Sequence, residues 1–212
     1  MIIVGAKGFA KELLHVAIQN CITNIALFDN INKYDNYQYC GYPILTCEKD
    51  VIDYFNKTND YTFHIGVGGP INRENLNSLF TSLGGQNITL ISKNTDISTL
   101  GTSLGEGTSI CSGVIITSDI NIGRCCLVNL NVTISHDTII GDFTELCPGV
   151  NIAGNCKIGK SVFVGTNASI IPNITIGDNV IIGAGAVVTK NVPPNVMVVG
   201  VPAVIKKKFI NE

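Results

Sequence analysis

One histidine of the sequence stands in a setting suited to acid–base chemistry. His15 falls in a stretch with helical spacing and His64 in an apolar, strand-like run, so we expect both to be structural. His136 lies in neither and is followed directly by Asp137. An imidazole titrates near neutral pH and can take a proton from a nucleophile during group transfer. We therefore predict His136 as a general base, with Asp137 either orienting the ring or serving only as a turn residue.

A glycine turn near the N-terminus is suited to phosphate binding. Gly5 and Gly8 separate a strand-like run, residues 1–4, from a helical stretch, residues 11–19, and Asp29 ends the next strand-like run. The order of strand, glycine turn, helix, strand and acid is typical of a nucleotide-binding α/β unit. The full G-x-G-x-x-G fingerprint of dinucleotide oxidoreductases is absent. A purely structural turn stays open as an alternative.

The composition argues against several classes of partner. The net charge is −2 and only 14% of the residues are charged, so we expect no nucleic-acid partner. The longest apolar stretches, residues 180–188 and 196–205, are interrupted by Gly or Pro and are shorter than the roughly 18 residues of a membrane span. The eight cysteines form no C-x-x-C pair and no His/Cys cluster. We expect reduced thiols, no metal site, no membrane span and a cytoplasmic location.

These residues must be positioned by a repeat that covers the second half of the chain. Every sixth residue from Leu104 to Val188 is Leu, Ile or Val, which gives an unbroken ladder of rungs. A second column, two residues before each rung, holds small or aliphatic residues such as Cys126 and Cys156. Residues two apart on a strand point the same way, so both columns are expected to face one core.

A third column, three residues after each rung, predicts the corners. Twelve of its fifteen members between Gly107 and Asn191 are Gly, Asn or Asp, which tolerate a left-handed backbone. A turn every six residues closes a triangular coil after eighteen, and stacked coils form a parallel β-helix. His136 falls two residues after the rung Ile134 and should project from a corner of this prism.

Four segments carry a resemblance to a known family, and they are I-V-G-A-K-G-F-A-K-E at residues 3–12, H-D-x-x-I-G-D-F at 136–143, A-G-N-C-K-I-G at 153–159 and V-G-V-P-A at 199–203. The chain resembles the sialic acid O-acetyltransferases and bacillosamine-type nucleotide-sugar N-acetyltransferases, which are hexapeptide-repeat acyltransferases. The resemblance covers nearly the whole chain. It implies a small Rossmann-like α/β domain followed by a left-handed β-helix, and a homotrimer with active sites between subunits.

The resemblance also implies that the parts of the chain have different functions. Residues 1–92 would bind a nucleotide sugar, residues 93–195 would bind acetyl-CoA and catalyse, and residues 196–212 would form an extension. The implied activity is acetylation of an amino group on a nucleotide-linked sugar in bacterial glycan biosynthesis, with acetyl-CoA as co-substrate and without a metal.

Site residues follow from the resemblance position by position. The residues implied for the acceptor and its nucleotide are Lys7, Gly8, Phe9, Asp29, Asn30, Gly68 and Asn129. Those implied for acetyl-CoA are Glu145, Gly154, Thr166 and Ala184. A backbone N–H at Gly154 is the candidate oxyanion donor. Glu145 departs from the family, because some relatives have a second histidine there that contacts acetyl-CoA.

Three alternatives remain open from the sequence. O-acetylation of sialic acid or a related sugar would use the same fold and the same base. A non-catalytic assembly role for the hexapeptide domain is a different class, which His136 in its motif argues against. A γ-carbonic anhydrase-like metal site would need three histidine ligands, whereas the β-helix has only His136.

Overall fold

An α/β layer forms the first part of the computed structural model, which describes residues 1–209, the side chain of residue 35 excepted. Its elements are β1 Ile2–Val4, α1 Phe9–Gln19, β2 Ala26–Phe28, a 3-10 turn Asp35–Tyr37, β3 Gln38–Tyr39, β4 Tyr42–Leu45, α2 Glu48–Thr58, β5 Thr62–Ile65, α3 Pro70–Ser82 and β6 Gln86–Asn87. The sheet order is β3-β4-β2-β1-β5-β6. All neighbours are parallel except β3 and β4, which form an antiparallel hairpin.

The apolar face of α1 explains how this layer holds together. Leu13, Leu14 and Val16 are buried at helical spacing and pack against the central strand β1, whose three residues are also buried. The helix begins at Phe9, two residues earlier than the predicted stretch. Because β1 and β2 pair in parallel, their carboxyl ends lie side by side, which brings the Gly5–Gly8 turn close to Asp29.

A β-helix of short parallel strands follows directly. Its strands are β7 Leu90–Ile91, β8 Asp96–Ile97, β9 Ser103–Leu104, β10 Ser109–Ile110, β11 Ile115–Ile116, β12 Asn121–Ile122, β13 Leu127–Val128, β14 Thr133–Ile134, β15 Ile139–Ile140, β16 Glu145–Leu146, β17 Asn151–Ile152, β18 Lys157–Ile158, β19 Phe163–Val164, β20 Ser169–Ile170, β21 Thr175–Ile176, β22 Ile181–Ile182, β23 Val187–Val188, β24 Val196–Val199 and β25 Val204–Lys208. Each strand from β10 to β21 pairs with the strand eighteen residues later or earlier in register.

Three sheets form the faces of the prism. The first face runs β7-β10-β13-β16-β19-β22-β24-β25, the second runs β8-β11-β14-β17-β20-β23, and the third runs β9-β12-β15-β18-β21. We call the turns between the first and second faces the first corner, those between the second and third faces the second corner, and those between the third and first faces the third corner. His136 and Gly154 lie on the second corner.

Both predicted apolar columns fill the prism. The rungs from Ile110 to Val188 are at most a few per cent exposed, and Cys126 and Cys156 in the second column are fully buried. The hydroxyl of Thr138, in the same column, donates to the carbonyl of Ala153 and accepts the N–H of Cys156. Buried polar groups are thus satisfied within the coil, as a close-packed core requires.

The left-handed turn column is confirmed at fourteen of its fifteen positions, which have φ between 54° and 77°. Cys125, Phe143 and Ser161 adopt this conformation although their side chains disfavour it. The prediction was wrong for Asn191, because the coil ends there and the chain crosses to an isolated bridge between Val192 and Ile176.

A buried polar contact joins the two layers. His64 on β5 is fully buried, and its Nε2 lies 2.7 Å from the Ser109 hydroxyl on β10 while its Nδ1 lies 2.6 Å from the Ile88 carbonyl. Arg73 on α3 is also fully buried and reaches the same hydroxyl. Burial, together with the charge of Arg73, lowers the pKa of His64 to about 3.

The lowered pKa of His64 predicts acid sensitivity. An unfolded histidine has a pKa of about 6.5, so between about pH 6.5 and pH 3 the unfolded chain binds a proton that the folded chain does not. The free energy of unfolding should therefore decrease as the pH is lowered from about 6.5 to 3, by up to about 1.4 kcal/mol per pH unit. Chemical denaturation at pH 7 and pH 5 should show a smaller loss for His64→Gln than for the wild type. His15→Gln, at an exposed helix position, is the control, and equal pH slopes in all three proteins would contradict the prediction.

The last strands extend the first face. β24 pairs in parallel with β22, and β25 turns back to pair antiparallel with β24, exposing Lys206, Lys207 and Lys208. The division of the chain at residues 92 and 195 stays a prediction, and residues 210–212 of the extension lie outside the described residues. Within residues 1–209, none of the helices has the length and apolarity needed to cross a bilayer.

Candidate active site

His136 projects from the second corner of the prism, where it was predicted. Its side chain is 62% exposed, and Asp137 beside it occupies the left-handed turn position with φ of 58°. The imidazole Nδ1 lies 2.8 Å from Asp137 Oδ2. A short turn therefore holds a carboxylate against one ring nitrogen, and the other forms no hydrogen bond within residues 1–209.

The hydrogen bond to Asp137 determines the useful tautomer of His136. An ionised carboxylate can only accept a hydrogen bond, so Nδ1 carries the proton and donates it to Oδ2. Nε2 then holds a free lone pair and can accept a proton. The hydrogen bond to the aspartate thus fixes the orientation of the ring.

Gly154 lies directly against the imidazole, one coil after His136. A Cβ atom at this position would come 2.5 Å from Cε1 and 2.6 Å from Nε2 of the ring. Only glycine therefore leaves room for the observed ring position. Within residues 1–209 the Gly154 N–H donates to no backbone carbonyl, so it is free to stabilise an oxyanion beside the histidine.

A cavity of about 220 Å³ lies at the carboxyl ends of β1 and β2. It brings together Lys7, Asp29 and Asn30 from the predicted nucleotide-sugar residues, with Gly5 and Val67 beside them. Gly8 and Phe9 do not line this cavity; Gly8 precedes α1 and Phe9 packs against the α/β core. Lys7 Nζ donates to the Asn32 side chain at 2.7 Å.

Asp29 shapes the loop that follows β2. Its carboxylate accepts the N–H groups of Ile31 and Asn32, the Asn32 amide and the Tyr34 hydroxyl. Burial opposes ionisation, but the hydrogen bonds from Tyr34 and Asn32 outweigh it, so the pKa of Asp29 is lowered. The carboxylate is ionised and fixes one wall of the cavity. Sequence reasoning missed Asn32 and Tyr34, although an Asp followed by Asn residues is a recognisable turn signal.

Gly68 and Glu145 meet at the junction of the two layers. Glu145 points outward from the first face and is only 6% exposed, since the β5–α3 loop covers it. Its Oε2 accepts the Gly69 N–H at 2.5 Å, and a Cβ atom on Gly68 would lie 3.1 Å from Oε1. This carboxylate is therefore placed beside the α/β domain and away from Gly154.

The remaining predicted residues lie on a different corner from His136. Asn129, Thr166 and Ala184 are on the first corner, where Thr166 and Ala184 are exposed and occupy equivalent turn positions in successive coils. The Asn129 side chain accepts the Leu130 N–H at 2.7 Å. One face of the prism separates these residues from His136, so a single chain does not bring them together.

The described part of the chain contains no group of three or more His, Cys, Asp or Glu residues placed to hold a metal ion. All eight cysteine thiols are free. Burial raises the pKa of Cys126 and of Cys147 to about 12, so these thiols are protonated and unreactive at neutral pH.

Comparisons with known proteins place both parts of the chain. The model of the PglD N-terminal domain matches residues 1–79, and that of the bacterial transferase hexapeptide (six repeats) matches residues 155–190. WeeI from Acinetobacter baumannii AYE is 33% identical, with a TM-score of 0.86 over 97% of this chain and 100% of WeeI. No curated protein sequence matches the chain.

Two further solved structures have the same architecture. PerB from Caulobacter crescentus, in complex with CoA and GDP-perosamine, is 28% identical, with a TM-score of 0.88 over 97% of this chain and 96% of PerB. The acetyltransferase domain of PglB from Neisseria gonorrhoeae FA1090 is 23% identical, with a TM-score of 0.87 over 96% of this chain and 97% of the domain, and shows the fold alone. The predicted fold class, an α/β domain followed by a left-handed parallel β-helix, is confirmed. The chain belongs to the hexapeptide-repeat acyltransferases that carry a PglD-type N-terminal domain.

Proposed function

We propose that this acyltransferase transfers the acetyl group of acetyl-CoA to the amino group of a nucleotide-linked amino sugar, with His136 as the general base. The observation that carries the proposal is the oriented histidine, which is bonded to Asp137 at 2.8 Å and packed against Gly154. PerB, which covers nearly the whole chain in the comparison, has been crystallised with CoA and GDP-perosamine. Variants of that perosamine N-acetyltransferase with one histidine replaced by asparagine or alanine have also been crystallised with both ligands.

The cavity beside Lys7 is the proposed site of the nucleotide. In the described part of the chain no side chain caps the N-terminus of α1, and the Ala10 and Lys11 N–H groups donate to the carbonyls of Lys7 and Gly8. The N–H groups of Gly8 and Phe9 are therefore the ones that would bind a diphosphate. The N-terminus of α3 differs, because the Glu145 carboxylate already accepts the Gly69 N–H. A second anion there would be repelled, so we assign the diphosphate to α1, next to Lys7.

The proposed chemical step uses groups on the second corner. The neutral amine attacks the thioester carbonyl, the C–N bond forms, and Nε2 of His136 takes the amine proton. The Gly154 N–H faces the oxyanion of the tetrahedral intermediate. Collapse breaks the C–S bond, and the imidazolium returns its proton to the leaving thiolate. Asp137 holds the imidazolium by the hydrogen bond already present.

The distribution of residues over two corners supports a homotrimer. His136 and Gly154 lie on the second corner, whereas Asn129, Thr166 and Ala184 lie on the first. If three prisms pack around an axis, the second corner of one copy faces the first corner of the next. Acetyl-CoA would then lie between two copies, with Thr166 and Ala184 along its length, and each active site would need both.

A substrate panel tests the proposal. Purified protein is mixed with acetyl-CoA and with UDP-, GDP- or dTDP-linked amino sugars, and free CoA thiol is followed while the product is identified by mass spectrometry. We expect an alkali-stable N-acetyl product from at least one amino sugar, with kcat on the order of 1–10³ s⁻¹. The matching sugars with a hydroxyl in place of the amine are the control. An alkali-labile ester formed on sialic acid alone would indicate O-acetylation, and no turnover on the whole panel would favour an assembly role.

A further inference from the structure

The loop of residues 66–69, which joins β5 to α3, is held by a buried carboxylate of the β-helix. Glu145 is 94% buried by this loop, and a buried carboxylate is strongly unfavourable without hydrogen-bond donors. Oε2 accepts the N–H of Gly69 at 2.5 Å, and Oε1 lies 3.9 Å from the Cys147 thiol, which donates to it. Gly69 has φ of +87°, so its conformation directs this N–H toward the first face and starts α3 immediately afterwards.

A buried cation holds the same loop from its other side. Arg73 Nη1 donates to the carbonyls of Ile65 and Val67 at 3.1 and 3.0 Å. Its Nε and Nη2 donate to the carbonyls of Cys125 and Cys126 on the third corner, at 3.1 and 3.4 Å. Burial lowers the pKa of Arg73, and the nearby Glu145 carboxylate opposes this change. The Arg73 guanidinium thus binds the carbonyls of Ile65 and Val67, and the Glu145 carboxylate binds the Gly69 N–H, so that both charges hold loop 66–69.

Loop 66–69 forms part of the cavity wall. Val67 lines the cavity together with Gly5 and Asp29. Gly66 packs so closely that a Cβ atom on it would lie 2.8 Å from the Ile3 side chain, and a Cβ atom on Gly5 would lie 2.8 Å from the Gly66 carbonyl. A shift of the loop must therefore move the Gly5 turn, so the position of loop 66–69 determines the shape of the cavity.

We propose that Glu145 and Arg73 are positioning residues that hold loop 66–69 against the β-helix and thereby fix the acceptor site relative to the catalytic corners. Glu145 acts through Gly69 and not by contact with acetyl-CoA. We call the two contacts of Glu145 and Arg73 with the loop the clamp. Its effect on substrates rests on the proposed nucleotide-sugar activity, whereas the clamp itself does not. An alanine at position 145 removes the acceptor of the Gly69 N–H, and a glutamine restores an uncharged acceptor of the same length.

Hydrogen exchange tests the clamp without any substrate. Glu145→Ala should raise the exchange rate of amides in residues 66–72 by roughly 10- to 100-fold, because a hydrogen bond to a charged group is lost. Glu145→Gln should give a smaller increase, and Glu106→Gln, which changes an exposed glutamate on the third corner, should give none. Unchanged exchange in Glu145→Ala would overturn the proposal, whether or not the protein acetylates any nucleotide sugar.

Steady-state kinetics tests the positioning role. Glu145→Ala should raise KM for the nucleotide sugar by about tenfold, with partial recovery in Glu145→Gln and with KM for acetyl-CoA within about twofold of the wild type. A rise confined to KM for acetyl-CoA would identify Glu145 as a co-substrate contact and overturn the proposal. The intact fold of each variant is checked by its exchange protection in the β-helix strands, which lie outside the loop.

Discussion

Replacing His136 with asparagine is expected to lower kcat by roughly 10²- to 10⁴-fold, which is the usual contribution of a positioned general base. Asparagine keeps a polar side chain at the corner but cannot accept the amine proton. The side chain is 62% exposed and lies outside both core columns, so the β-helix should fold normally. Initial rates with saturating acetyl-CoA and nucleotide sugar at neutral pH measure the effect.

The matched control for His136→Asn is Ser118→Asn, which changes the equivalent corner position one coil earlier. Ser118→Asn should keep the wild-type rate, and both variants should show wild-type circular dichroism. A His136→Asn protein with more than half of the wild-type rate would exclude the base role. The proton would then have to leave the amine by way of solvent or another group.

Replacing Gly154 with alanine is expected to lower kcat by about 10²-fold, since a displacement of about 1 Å at a reacting group has costs of this order. The new methyl carbon would lie 2.5 and 2.6 Å from two atoms of the His136 ring, so the imidazole must leave its position. Gly154 is not among the residues with positive φ, and alanine therefore brings no backbone strain. The loss would come from the displaced base and not from unfolding.

A double-mutant cycle checks this explanation of Gly154→Ala. In a His136→Ala background the ring is absent, and adding Gly154→Ala should change kcat by less than about twofold. Equal losses in both backgrounds would show that Gly154 acts independently of the histidine. Thermal unfolding of the four proteins separates either outcome from a general loss of stability.

The β-helix could be predicted from the sequence because its determinants are local and periodic. Ile134 and Val164 report their burial by their place in a six-residue ladder, and Asn155 or Gly149 reports a corner by its residue type. Phe143 shows the limit of residue type alone, since φ of 58° is imposed on it by the coils above and below. The position of Phe143 in the repeat therefore predicts its backbone conformation better than its residue type does.

Contacts between the two layers could not be predicted, because they join residues far apart in the chain. Nothing near Arg73 in the sequence indicates that its guanidinium reaches Cys125, and the resemblance implied that Glu145 contacts acetyl-CoA, with no sign of its hydrogen bond to the Gly69 N–H. The segment of residues 30–61 also gave no prediction of β4 or α2, since its apolar residues are few and irregularly spaced. Tertiary packing decides these elements.

The predicted site residues fall into groups for a similar reason. Lys7, Asp29 and Asn30 come together because the carboxyl ends of neighbouring parallel strands meet at one edge. His136 and Gly154 come together because eighteen residues return the chain to the same corner. Thr166 follows the same period on another corner, and only a second copy of the chain could bring it to His136.

The antiparallel strand β25 also determines how the molecule meets other molecules. A parallel β-helix ends in open strands that can template further pairing, and such edges promote fibre growth. At the C-terminal end of the first face an approaching chain meets β25, which runs in the opposite direction and exposes three consecutive lysines, Lys206, Lys207 and Lys208. The pairing of β24 with β25 also shifts register between Met197 and Val198, which twists this edge further. At the other end, the Asn20 amide at the end of α1 donates to the Ile91 carbonyl on β7. We expect these features to oppose end-to-end stacking of prisms through the first face, which would limit the growth of an otherwise open-ended repeat.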